Sequence, residues 1–465
     1  MATRRVFAAA AALIMAVSAV VLAGTLPAGA AKVNPKDCPV KALGKGAQVD
    51  ITFWHQMQGK NEEVLRQLVA GFEAANPNVH VDLVNQVSYR DLFTKYRSAL
   101  GGGDLPDLAQ LEDTTPQQLV DSQSTIPIAA CIAADDYSID DFYERPIAFY
   151  TVQGVLRSMP WNVSNIVTMF NRKAVAAAGL DPDNLPTTFE GLEKASQQIV
   201  DRGVAPHGMA LAVIPYVNEF LFAKSGVPYV NNSNGRKARA TEAVFDTKSG
   251  EKIWKWWHDM VASGLAIDTG DQEGGIDHLL ALGNGSAAIT IDSSGGIGRV
   301  YDVLSSGQFP NVEFGVAPLP SLTGKGGIPV GDGSLWLPKT SSPERQAAAW
   351  KLIKYLTAPE QLVRLVVDTQ GGYIPIRKAA AESPEVQALY RDRPFLRVPF
   401  DQLELGPLNP TTSGPVIGDY QAVRDAVRDG LDRMLTQGQS PKDALAEAAR
   451  EASKAIREFN ARVGG

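Results

Sequence analysis

Apolar residues along this chain recur with two periods, and the switches between them outline an alternating architecture. Ile51 and Phe53 stand two apart, as on a short strand. Val64, Leu65, Leu68, Val69 and Phe72 follow at helical spacing, and Asn76-Pro77 ends that helix. Val79, Val81 and Leu83 alternate again, so the opening reads strand, helix, strand, a unit that favours a parallel sheet. A second helix is predicted from about Tyr89 to Leu100, closed by Gly101-Gly102-Gly103, and a strand from Leu105 to Leu111. In such α/β sheets ligands gather beyond the carboxyl ends of strands, which makes Asp113, with Glu112 beside it, a candidate binding residue. Asp113 equally suits a cap over the amides of Thr114 to Gln117.

The middle of the chain, about 183 to 276, reads as mostly helical. There Ile253, Trp254, Trp257, Met260 and Val261 form one apolar stripe, which fits core better than a binding platform. Ala287 to Ile291 is a predicted strand that stops at Asp292-Ser293-Ser294-Gly295-Gly296. That composition suits a strand end opening into a helix N-terminus, where backbone donors can meet an anion. A helix is predicted from Pro343 to Leu356, and the tail from Asp419 is rich in helix. No internal repeat or long low-complexity linker interrupts the pattern.

Composition narrows the class. Arg4 and Arg5, an apolar run from Phe7 to Gly24 and small residues at Ala28 to Ala30 mark residues 1–30 as a cleavable export signal rather than a membrane anchor. The pair of arginines also has the twin-arginine look, and no cysteine follows the small residues to carry a lipid. Without 30 of 465 residues, 435 remain, too many for one core and suited to two lobes. A net charge of −7 argues against nucleic acid or an anionic membrane as partner. The two cysteines, Cys38 and Cys131, are expected to form a disulfide outside the cytoplasm, two free thiols being the alternative. The five histidines show no metal-ligand spacing, and no nucleophile elbow or phosphate loop occurs. No catalytic residue, metal or cofactor is therefore expected, although the many acids leave a secreted hydrolase as a rival class.

Several segments, in order, carry a resemblance. They are Phe53-Trp54-His55, Phe72-Glu73-Ala74-Ala75-Asn76-Pro77, Phe170-Asn171-Arg172-Lys173 and Pro186-Thr187-Thr188-Phe189. Asn284-Gly285-Ser286-Ala287-Ala288, Gly333-Ser334-Leu335-Trp336 and Gly372-Tyr373-Ile374-Pro375-Ile376 follow. Together they resemble the extracellular solute-binding proteins of ABC importers, in the branch that takes glycerol 3-phosphate and glycerophosphodiesters. The resemblance implies an α/β, two-lobe periplasmic-binding-protein (Venus-flytrap) fold with discontinuous lobes joined by hinge crossovers. Residues 31–155 and 285–338 are expected in lobe 1, and 156–284 and 339–465 in lobe 2. Crossings are expected near Tyr150 to Ser164, His278 to Ala287 and Trp336 to Glu344. It also implies a monomeric receptor in the periplasm or cell envelope that passes a small polar solute to the permease subunits of an ABC importer. The solute is glycerol 3-phosphate or a glycerophosphodiester such as glycerophosphocholine, with a di- or oligosaccharide as the alternative.

The family's ligand residues carry over one at a time. Tyr89 matches a tyrosine at the start of the second helix, Asp113 the acid after the next strand, and Ser164 a serine where the chain first changes lobe. Ser293 matches the serine after the strand of the Asn-Gly-Ser-Ala-Ala segment, Tyr373 the tyrosine of the Gly-Tyr-x-Pro loop, and Arg424 a late arginine that grips phosphate. A guanidinium offers five donors in a planar fork suited to that task, the plainer alternative being a solvated arginine paired with a nearby aspartate. Gly331-Asp332-Gly333 departs from the family's glycine pair. Asp332 and Gly333 are placed in the site, where the added carboxylate repels a phosphate or receives hydroxyls. Ala212-Val213-Ile214-Pro215-Tyr216 stands where the glycerol-phosphate binders carry tryptophans, so the aromatic cover is built differently.

Overall fold

A computed structural model describes residues 33–44, 46–271, 275–339 and 341–464. The expected export signal, 1–30, lies outside the described residues. Strands β1 (Val49–His55), β2 (Val79–Asn85), β3 (Leu108–Glu112) and β4 (Thr125–Ile126) come first. A short ribbon of β5 (Thr151–Val152) and β6 (Val155–Leu156) precedes β7 (Met159–Ser164) and β8 (Ile166–Asn171). Then come β9 (His207–Val213), β10 (Ala266–Asp271), β11 (Ala287–Ser293), β12 (Phe314–Pro318) and β13 (Gly331–Pro338).

These strands make two main sheets. The first has the order β2-β1-β3-β13-β4 with β7 also on β13, and the second the order β10-β9-β11-β8-β12. In each, β2-β1-β3 and β10-β9-β11 are parallel, while β13 runs antiparallel to β3 and β8 antiparallel to β11. The predicted opening unit is present: Val64, Leu65, Leu68, Val69 and Phe72 are the buried face of the helix Lys60–Ala75. The helix Tyr89–Gly102 starts at the Ser88 cap and ends on Gly103 at φ 78°, a left-handed position that glycine takes without strain. The tryptophan stripe is core, with Trp254 and Trp257 buried on the helix Lys248–Ala262.

Three features of the sheets differ from expectation. The middle of the chain is not only helical, since β9 and β10 lie within it. Residues 285–338 do not stay in one lobe: β11 and β12 flank β8 in the second sheet, and only β13 joins the first. The expected crossing at 278–287 is therefore replaced by one between β12 and β13. The segment 339–465 is also shared. Its helices Pro343–Leu356 and Pro359–Asp368 pack on β1, β13 and Lys60–Ala75, while Val398–Leu405, Tyr420–Thr436 and Pro441–Val463 pack on the second lobe. The reason is physical: the apolar runs of β11 and β12 fit any buried sheet, so the choice is made by distant pairing that periodicity does not encode.

The first crossing is one residue long. β7 pairs with β13 and β8 with β11 and β12, and Asn165 alone separates them. Its amide donates to Pro399 O at 2.8 Å and its side-chain oxygen accepts from Gln402 Nε2 at 2.7 Å. Its backbone N donates to Ser294 Oγ at 3.2 Å, and its carbonyl accepts from Ser294 N at 2.8 Å.

Cys38 and Cys131 are joined, with Cα atoms 5.0 Å apart. The bridge ties the N-terminal segment to the helix Ile128–Asp135 and closes a span of 93 residues. No described helix is long and apolar enough to cross a membrane.

Candidate ligand-binding cleft

The carboxyl ends of several strands converge on one cavity of about 580 Å³ between the sheets. Glu112 ends β3 and is followed by Asp113, Ser164 ends β7, Ser293 ends β11, and Asp332 is the second residue of β13. Tyr89 begins its helix, Tyr373 sits in the Gly-Tyr loop, and Arg424 lies on the second turn of Tyr420–Thr436. All eight line the cavity. Gly333 does not. A Cβ there would lie 2.6 Å from Asn162 Oδ1 and 2.7 Å from the Tyr89 hydroxyl, so this glycine leaves room for that hydroxyl.

The hydroxyls are prepared as donors. Tyr89 Oη accepts from Gln110 Nε2 at 3.1 Å and Asn162 Nδ2 at 2.9 Å, which fills both lone pairs and leaves its proton to give. Tyr373 Oη accepts from Asn61 Nδ2 at 3.0 Å, with Met57 Sδ at 3.4 Å as its weak acceptor. Burial, with the Asp332 carboxylate adding, pushes both phenols above their ordinary range, so they stay neutral. The hydroxyls of Ser164 and Ser293 are 3.1 Å apart, and Ser293 Oγ accepts from Gly295 N at 3.2 Å.

Charge in the cleft is uneven. Arg424 Nε and Nη2 donate to the two oxygens of Glu219 at 2.7 and 2.9 Å, Nη1 to Glu112 at 2.9 Å, and Nη2 to Asp113 at 3.5 Å. Those four bonds occupy four of its five N–H donors. Its plane also lies 5.2 Å from the Tyr420 ring centroid and 5.9 Å from that of Tyr216. One cation thus faces three carboxyl groups. Burial, opposed by Arg424 and reinforced by Glu112 and Glu219, pushes Asp113 well above the carboxylate range. Asp113 does not act as a helix cap: the next helix begins after Thr115 with no side-chain cap bond. Nor is Arg424 solvated. It is buried among acids that come from other elements.

Asp332 has a left-handed backbone, φ 67°, and its Oδ2 is buried with no hydrogen-bond partner among the described residues. Burial, opposed by the Ser164 hydroxyl and reinforced by Glu112 and Asp292, raises its pKa to about 7. Asp292 is better satisfied: its Oδ1 accepts from Tyr216 Oη at 2.9 Å, and its Oδ2 meets His278 Nε2 at 3.1 Å. No group of described residues is arranged to hold a metal ion.

Tyr216, Glu219, Asp292 and Arg299 were not among the expected site residues. Glu219 had a signal available. It is the single acid in the stretch Pro-Tyr-Val-Asn-Glu-Phe-Leu-Phe-Ala, and an acid inside an apolar helix asks for a buried partner. Asp292 stands at a strand end like Asp113 and was open to the same argument.

Two α/β lobes around a polar cleft, joined closely at Asn165, define a two-lobed solute-binding protein. Residues 67–390 match the family described as bacterial extracellular solute-binding protein, and the chain belongs to that family. Among curated relatives, the sn-glycerol-3-phosphate-binding periplasmic protein UgpB of Rhizobium meliloti is 26% identical over 418 residues, 88% of this chain and 94% of the relative. The protein of that name from Salmonella typhimurium is 25% identical over 424 residues, 89% and 94% of the two chains. UgpB from Mycobacterium tuberculosis, solved in complex with glycerophosphocholine, superposes with a TM-score of 0.72 at 20% identity, covering 88% and 98%. The GacH receptor of Streptomyces glaucescens, solved unliganded and with acarbose, gives 0.73 at 20%, covering 89% and 99%. The expected fold and family are borne out. The family is one of extracellular binding proteins rather than enzymes.

Proposed function

We propose that this chain is the monomeric receptor of an ABC importer and captures glycerol 3-phosphate or a glycerophosphodiester such as glycerophosphocholine. The observation that carries this is the meeting of Tyr89, Asp113, Ser164, Ser293, Tyr373 and Arg424, drawn from distant segments, around one cavity of about 580 Å³. A Tyr89 proton left to give, a Tyr373 proton held only by a thioether, and paired serine hydroxyls suit a polyol, and the acids accept its hydroxyl protons. The curated relatives named for sn-glycerol 3-phosphate, matched over most of both chains, support the same ligand class.

A second ligand is favoured by one feature. The carboxylates that surround Arg424 suit the hydroxyls of a sugar, and a di- or oligosaccharide follows if phosphate plays no part. Titration calorimetry with glycerophosphocholine, glycerol 3-phosphate and maltose separates the two. The glycerol phosphates are expected to bind saturably and maltose not. Ser293→Ala, which removes one hydroxyl, is expected to weaken glycerophosphocholine binding about 3- to 10-fold. Maltose binding with no response to either phosphate would move the protein to the sugar class.

A further inference from the structure

Four cations line the cleft: Lys60, Arg90, Arg299 and Arg424. Three are already answered by acids. Lys60 Nζ is 3.4 Å from Glu63, Arg90 Nη2 is 3.1 Å from Asp425, and Arg424 meets Glu112, Asp113 and Glu219. Arg299 has no ion pair or hydrogen bond with any described residue. Asp302, one turn along the same helix, keeps both oxygens on Gln370 Nε2, at 2.8 and 2.9 Å, rather than on Arg299. Arg299 is exposed at the mouth, on the first turn of the helix Ile297–Leu304, just beyond Ser293 and Gly295. Its charge reaches the Tyr373 phenol.

An entering anion meets opposite conditions at the two arginines. Beside Arg424 it is repelled by the Glu112 and Glu219 carboxylates, which outnumber the single cation even with Asp113 held protonated by burial, in surroundings that screen charge poorly. It also finds only one N–H unused. Beside Arg299 it meets a guanidinium that no described residue pairs with, and the Ser293 hydroxyl lines the same cavity. The acids on that side have other claims on their charge: Asp302 is held by Gln370, Asp292 by Tyr216 and His278, and the pKa of Asp332 is raised by burial.

We propose that Arg299 receives the phosphate of the ligand, while the Arg424–carboxylate cluster receives its hydroxyl or cationic end. This assignment rests on the cleft being a glycerol-phosphate site. It makes a phosphodiester that carries a cation, such as glycerophosphocholine, a better ligand than dianionic glycerol 3-phosphate, because the floor attracts the cation and repels excess negative charge.

The test is calorimetry of wild type, Arg299→Gln and Arg299→Lys with glycerophosphocholine and glycerol 3-phosphate, each at low and high salt. Arg299→Gln is expected to weaken glycerophosphocholine binding about 10- to 100-fold and to flatten its salt dependence, with Arg299→Lys falling between. If wild type binds but Arg299→Gln binds equally well, the role of Arg299 is overturned while the ligand class stands. A wild type that prefers glycerol 3-phosphate overturns the orientation. Failure of wild type to bind either phosphate removes the ligand class itself.

Discussion

The floor and the mouth of the cleft each present an arginine, and the two are in opposite states. At the floor, Arg424 is buried and saturated by carboxylates from the first lobe (Glu112 and Asp113) and the second (Glu219). At the mouth, Arg299 is exposed and without a partner among the described residues. The same side chain is structural in one place and available in the other. What separates them is the company each keeps: a buried guanidinium is stable only when answered by acids, and once answered it has little left to offer a ligand.

The contrast is sharpest in stability. Arg424→Ala leaves three acids facing one another without their cation, and a loss of about 3–5 kcal/mol is expected, read by urea or thermal unfolding of the unliganded protein. A change below about 1 kcal/mol would show that the cluster is not a structural unit. Asp332→Asn comes next. Folding raises this group from 3.8 to about 7, so between those pH values the native state holds a proton that the unfolded chain has released. Wild-type stability therefore falls as pH rises through that window and levels off above it. Asparagine does not ionise and accepts the left-handed backbone, so the variant should be more stable than wild type by about 1–3 kcal/mol at pH 8 and nearly equal at pH 4. Equal stability at both pH values would mean that Asp332 is solvated or paired. Arg299→Gln should alter unfolding by less than about 0.5 kcal/mol, because nothing in the fold depends on that guanidinium. A larger loss would give Arg299 a structural partner and weaken the contrast.

Much of the scaffold could be read from residue order. The strand, helix, strand opening, the Pro343–Leu356 helix and the tryptophan stripe all follow from local periodicity and caps. The positions lining the cleft were found through family likeness and the rule that ligands sit at strand ends. What escaped is long-range. That β11 and β12 leave the first lobe depends on which apolar strand they meet, and no local pattern states it. The saturation of Arg424 depends on Glu219, 205 positions away on another helix. Arg299 had no signature at all, since an exposed arginine on an amphipathic helix looks like any other surface residue until the cleft is assembled around it.

The single-residue step from β7 to β8 has its own mechanical meaning. Asn165 leaves no spare chain between the two sheets at this point, so any change in the angle between the lobes has to be taken up in the backbone around one residue. Gln402, Pro399 and Ser294 hold that residue, so its side chain is anchored on the second lobe. Ser164 and Ser293, the neighbours of Asn165 and Ser294, are themselves in the cleft. The cleft therefore reaches to within one residue of the join, and a molecule held by those hydroxyls would sit against the hinge itself rather than at the outer edges of the lobes.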